Sequence, residues 1–156
     1  EEADSVLQAT SEAIAEHDRL YGEARGSYDQ AREALDAGED PEGQVERIRG
    51  ARETLLEARG RLEEARNNLS EVQDLEVAQE VKDYANLLSD AMGTQLEAEA
   101  REAEFYEVLE GDPILEGDRE GALEILSQAG DGYERAEEEY ARARELAEAN
   151  PDLLRE

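Results

Sequence analysis

Cysteine is absent from this 156-residue chain, which removes disulfides and thiolate metal sites from consideration. The absence does not fix the compartment. Basic charge is scarce: Lys and Arg total 16 against 44 Asp and Glu, for a formal net charge of -28. A field of that sign repels phosphate backbones and anionic headgroups, so neither nucleic acid nor a membrane surface is an expected partner. Basic proteins and non-specifically bound hydrated cations remain. No apolar run approaches the ~18 residues that cross a bilayer, so no direct membrane insertion is expected. Catalytic signatures are also missing: there is no nucleophile elbow, Walker loop, dinucleotide fingerprint or zincin helix. His17 is the only histidine, and Ile14 stands three positions before it, so the Glu-x-x-His motif of di-iron bundles does not occur even once. The chain is therefore expected not to be an enzyme, and no catalytic, cofactor-binding or metal-ligating residue is assigned.

Lysine is nearly missing as well. Lys82 is the only one, and every other basic residue is arginine. Strong acidity with almost no lysine resembles the composition of haloarchaeal and other salt-in proteomes. The resemblance is one of composition, not of family. It implies a protein at home in molar salt, where the Debye length shrinks to roughly 3 Å. Carboxylates then stay hydrated while their mutual repulsion is screened. High net charge with few apolar residues is also the signature of disorder. The regular spacing of the apolar residues that are present argues against that reading.

Those residues fall into four segments. The first runs from about Ala3 to Asp36, with a seam at Leu7, Thr10, Ile14, His17, Tyr21, Ala24, Tyr28, Ala31 and Leu35. Steps alternating between three and four residues make a heptad stripe of coiled-coil type on an α-helix. Gly38 is placed to stop it, and Asp40-Pro41 to start the next helix as N-cap and first helical residue. The second segment, Pro41 to about Val72, carries Ile48, Ala51, Leu55, Ala58, Leu62, Ala65, Leu69 and Val72. A turn near Gln73-Asp74, with Asp74 as cap, is expected before the third; one continuous helix is the alternative. The third runs from about Leu75 to Glu110. Val81, Ala85, Leu88 and Met92 hold one phase, Gln95 and Glu99 are read as breaking it, and Leu96, Ala100 and Ala103 as resuming it after a stutter. Gly111-Asp112-Pro113 ends this helix. The fourth starts near Asp118, with a seam at Ala122, Leu126, Ala129, Tyr133, Ala136, Tyr140, Ala143 and Ala147, unbroken across Gly130 and Gly132, and stops at Asn150-Pro151. Short connections make sequential neighbours antiparallel, so the expected fold is all-α: an up-down-up-down four-helix bundle in a single domain, residues 1–156. Glu57–Arg61, Glu97–Arg101 and Glu138–Arg142 are spaced for i,i+4 pairing.

Several groups invite a chemical reading. His17 and Met92 lie on seams at nearly level depths in two parallel helices, and His/Met is a known axial pair for haem. Bulky seam tyrosines leave no obvious room for one, and packing is the preferred role of both residues. His17 is expected to find a seam tyrosine or a flanking glutamate as hydrogen-bond partner. Tyr21, Tyr28, Tyr84, Tyr106, Tyr133 and Tyr140 are expected to fill the core with their hydroxyls reaching its edge. Asp112, Glu116, Asp118 and Glu120 cluster in one loop without the alternate ligand spacing and central glycine of a calcium loop. The run Glu137-Glu138-Glu139 spreads over different helix faces. Ala136, Tyr140 and Ala143 resemble part of a tetratricopeptide repeat, but the proline is misplaced and no period of roughly 34 residues recurs.

These features predict a non-enzymatic structural or protein-interaction bundle adapted to high salt, with a ligand- or cation-binding bundle as the alternative. The chain opens on Glu1 and Glu2 rather than Met, so a preceding segment is expected, and with it an extracellular or cell-surface location in preference to a cytoplasmic one.

Overall fold

The computed structural model describes residues 2–153; Glu1, on which the expectation of a preceding segment turned, lies outside them. Four helices follow one another: α1 (Glu2–Asp36), α2 (Pro41–Glu71), α3 (Gln79–Gly111) and α4 (Arg119–Ala149). They are about 46–53 Å long at ~1.5 Å per residue. They form the expected all-α four-helix bundle. No strand occurs among the described residues, and no helix there is long and apolar enough to cross a membrane.

The helix ends follow from local chemistry. Gly38 takes φ 82°, a left-handed conformation that costs glycine nothing, and the amides of Gly38 and Glu39 reach back to the carbonyls of Leu35 and Ala34. Asp40 then caps α2 by accepting from the amide of Glu42, with Pro41 at the first helical position. Asp118 caps α4 through the amide of Gly121, and α4 runs unbroken through Gly130 and Gly132.

The α2–α3 junction differs from expectation in detail. The two helices are separate, but one turn of 3-10 helix, Val72–Asp74, intervenes and α3 begins only at Gln79. Ala78 occupies the N-cap position without a side-chain hydrogen bond, so Asp74 is not the cap. Val72 is buried and anchors the turn, which a polar break in the seam does not reveal.

Which residues are buried also sharpens the seams. On α1, Ala13, Leu20 and Ala34 are buried while Leu7, Ile14, Tyr21 and Leu35 are only half-buried. Small side chains turn toward α2, whose buried row includes Ala51, Ala58 and Ala65, and these alanines let the two backbones approach closely. α2 also packs on α3, and α3 on α4. The α1–α4 seam is wider, and side chains rather than close backbone approach bridge it. Leu126, expected in the core, is half-buried against it.

Two apolar clusters result. One gathers Tyr28, Ile48, Leu55, Phe105, Tyr106 and Leu109 near the α1–α2 turn. The other gathers Leu62, Leu69, Val81, Met92, Leu96 and Leu153 toward the opposite end. Between them lies a layer of a different kind.

Candidate functional site

α3 builds that layer. Its core-facing positions run Val81, Ala85, Leu88, Met92, Gln95, Glu99, Glu102, Tyr106 and Leu109, in unbroken steps of four and three. Glu99 and Glu102 are 0% and 1% exposed. The stutter expected at Gln95 and Glu99 is therefore absent: the phase continues and polar residues occupy it. Leu96 and Ala103 are buried beside this row, on a wide buried face, and Ala100 is half-buried.

Glu102 is the hub of one half of the layer. Its Oε1 accepts from the hydroxyls of Tyr21 at 2.9 Å and Tyr133 at 2.5 Å, and its Oε2 accepts from Tyr106. The guanidinium of Arg25 stands 3.7 Å from Oε2 and reaches out to solvent. Three helices thus converge on one carboxylate. Burial, together with the Glu102 charge, raises the pKa of all three phenols, that of Tyr21 to about 12, so each stays protonated and donates. Tyr28 and Tyr106 are buried in the core as expected, Tyr21, Tyr84, Tyr133 and Tyr140 are half-buried, and the hydroxyls of Tyr21, Tyr106 and Tyr133 turn inward to a carboxylate rather than to the core edge.

The other half centres on His17, which is 1% exposed. Its Nδ1 lies 2.9 Å from Asp18 and its Nε2 2.6 Å from Glu99 Oε2. An ionised carboxylate only accepts, so a carboxylate at each ring nitrogen calls for the doubly protonated imidazolium. Burial opposes that charge, but Glu99 and Asp18 outweigh it and His17 titrates above its ordinary value. Gln95 donates to the same Glu99 oxygen at 3.0 Å and receives the hydroxyl of Tyr140 at 2.6 Å. Glu99 Oε1 has no hydrogen-bond partner among the described residues. The Tyr21 ring stacks on the imidazole, with centres 5.9 Å apart. The expected tyrosine or flanking glutamate is replaced by the flanking Asp18 and by Glu99 from across the bundle.

His17 and Met92 do not form an axial pair. Glu99, the residue His17 meets, lies seven positions beyond Met92, two turns or about 10 Å along α3. Met92 packs among the apolar residues of the second cluster.

The acidic loop is explained by backbone capping. Asp112 accepts from the amides of Glu116 and Gly117, both at 2.8 Å, and Asp118 is the α4 cap. Among the described residues no group of three or more histidine or acidic side chains is arranged to hold a metal ion. On the surface, Arg61 and Arg101 pair with Glu64 and Glu104 at i,i+3 rather than with Glu57 and Glu97. Arg49 and Arg52 converge on Glu110, and the Arg52 bond above all holds that carboxyl below its usual range. Two grooves flank the outer face of α3, with volumes of about 690 and 520 Å³. Arginines and carboxylates line them in a mixture, including Arg59, Arg66, Arg135, Glu97 and Glu139; His17, Glu99 and Glu102 line neither.

Glu99 and Glu102 lie outside the sequence expectations although they carry a signal. Both keep the heptad phase, and so does Tyr106 beyond them. Compared with family models, curated proteins and solved structures, the chain matches none.

Proposed function

We propose that this chain is a non-enzymatic helical-bundle scaffold, a structural or protein-interaction module that works in concentrated salt. The observation that carries the reading is that His17 and Glu102, in the buried polar layer, are engaged by neighbouring side chains of the bundle. A general acid, base or nucleophile must come within hydrogen-bond reach of a substrate. His17 has both ring nitrogens engaged, and Glu102 has both oxygens engaged. Both residues are almost wholly buried and line neither groove beside α3. Their geometry suits holding helices in register, a role for which buried polar groups are well attested. The outer faces carry most of the 44 acidic residues, which stay hydrated when salt screens their repulsion. A partner recognised through such a surface would be basic.

One observation favours a ligand- or cation-binding bundle instead: Glu99 Oε1 is buried without a donor among the described residues. The two readings separate when purified protein is titrated with haem, Zn²⁺ and Ni²⁺ in high salt, wild type beside His17→Gln. A scaffold gives no tight one-to-one binding that depends on His17. Stoichiometric binding in the wild type that vanishes in the variant would make this a binding protein.

A further inference from the structure

Three of the four seams between neighbouring helices are closed by backbone approach: α1 on α2, α2 on α3, and α3 on α4. The fourth, between α1 and α4, is closed by side chains. Tyr21 meets Tyr133 edge to face at 6.0 Å. Across the bundle, α1 is tied to α3 by His17 on Glu99, by Tyr21 and Arg25 on Glu102, and by Tyr28 stacked on Tyr106 at 4.8 Å. A groove of about 430 Å³ runs between α1 and α3, where Leu7 and Ile14 face Tyr84 and Leu88 beside Leu69 of α2.

We propose that His17 and Glu99 form a proton-operated latch between α1 and α3, closed while the imidazole carries its proton and released when it loses it, so that α1 swings away from α3 and α4 about its packing on α2. The geometry supplies the mechanism. Glu99 is fully buried, and among the described residues its only cationic partner is His17, Gln95 adds a neutral donor and Oε1 has none. Deprotonation of His17 leaves a buried carboxylate without a counter-charge, which a dry interior does not tolerate. Separation of α1 from α3 returns Glu99 to water.

The surroundings of the latch make His17 its titrating member. On α1, Asp18 and the Tyr21 ring face the imidazole. On α3, Glu99 faces it directly and Glu102 lies one turn on. From α4, Tyr140 and Tyr133 close the layer, with Glu139 bonded outside to Thr94. Antiparallel register about the 37–40 turn brings the buried Ala58 and Leu62 of α2 level with His17, while Arg61 and Glu64 lie in an outer groove beside Glu12 and Glu16. The phenols are held protonated to higher pH by burial. His17 gains charge stabilisation on folding, so closure is complete below the imidazole's unfolded value near 6.5 and is lost as pH rises through its raised folded value.

The chain has no cysteine and one histidine, so both can be followed without interference. Spin labels on Ala9→Cys in α1 and Glu145→Cys in α4, both exposed positions, report the seam by pulsed dipolar spectroscopy in high salt. The single imidazole resonance reports protonation. The expected result is one short distance at low pH and a longer population that grows with the same midpoint as the His17 titration, with far-UV helicity retained. In Glu99→Gln no charge is stranded, and the short distance persists throughout. An unchanged distance through the His17 titration, a midpoint away from it, helix loss accompanying the change, or opening of Glu99→Gln like the wild type would overturn the latch. The wild-type comparison decides the matter by itself if Glu99→Gln does not fold.

Discussion

Tyr21 of α1 and Tyr133 of α4 donate to one and the same oxygen, Oε1 of Glu102, at 2.9 and 2.5 Å, so a carboxylate on α3 joins the two helices that lack close backbone contact. Hydrogen bonds to a charged group are the stronger kind, and removing a donor leaves part of that charge unsatisfied. Tyr133→Phe is expected to lower stability by about 1.5–3 kcal/mol in denaturant unfolding. Tyr28→Phe, whose hydroxyl only accepts from the exposed Arg32, should cost less than about 1 kcal/mol.

The close crossing of α3 and α4 gives a paired expectation. A Cβ at Gly132 would stand 2.8 Å from Ala98 Cβ and 3.3 Å from its Cα, where the neighbour is backbone and cannot swing aside. Gly132→Ala should destabilise by about 1–3 kcal/mol through overpacking. A Cβ at Gly130, two positions earlier, would meet nothing within 4 Å. Gly130→Ala should stabilise by about 0.5–1 kcal/mol, since glycine inside a helix costs about that much. Thermal melts of the two variants in the same salt check the opposite signs.

Most of the bundle was legible because apolar periodicity is a robust signal when steps of three and four persist over many turns. Gly38, Asp40-Pro41 and Asp118 were readable as helix ends because their chemistry is local. The layer at Glu99 and Glu102 was not, because a glutamate in a seam looks the same in sequence whether it breaks the phase or continues it. Only its partners decide, and Tyr21, Tyr133 and His17 arrive from other helices. The seam expected for α1 is too narrow for a similar reason. Whether Leu7 or Ala13 is buried depends on how closely α2 approaches, and a single helix does not encode that distance.

Large-to-small changes should follow the burial seen rather than the seam expected. Leu62→Ala removes a side chain that is 1% exposed and should cost on the order of 2–5 kcal/mol. Leu126→Ala, at a half-buried position, should cost less than Leu62→Ala. Glu137→Gln on the exposed face of α4 should stay within about ±0.5 kcal/mol. Urea unfolding of the three variants ranks them.

The two ends of the pH scale should report different groups. Glu110 has a lowered pKa, so its contribution is present above the unfolded carboxylate value and is lost as pH falls through the lowered one. Arg52→Gln should raise the Glu110 titration midpoint and weaken this acid limb. His17 has a raised pKa, so its contribution is present below the unfolded imidazole value and is lost as pH rises through the raised one. His17→Gln should lack that alkaline limb. Stability curves from pH 3 to 9 in constant salt, as an order-of-magnitude span about the reference values, separate the two.

The most direct test of an acidic bundle made for concentrated salt is far-UV circular dichroism during thermal unfolding, in multimolar KCl and in dilute buffer. With a net charge of -28 and one lysine, self-repulsion is screened only in the first. The expected result is high helicity with one cooperative transition in KCl, and reduced helicity without cooperativity in dilute buffer. Equal helicity and an equal midpoint in both would contradict it.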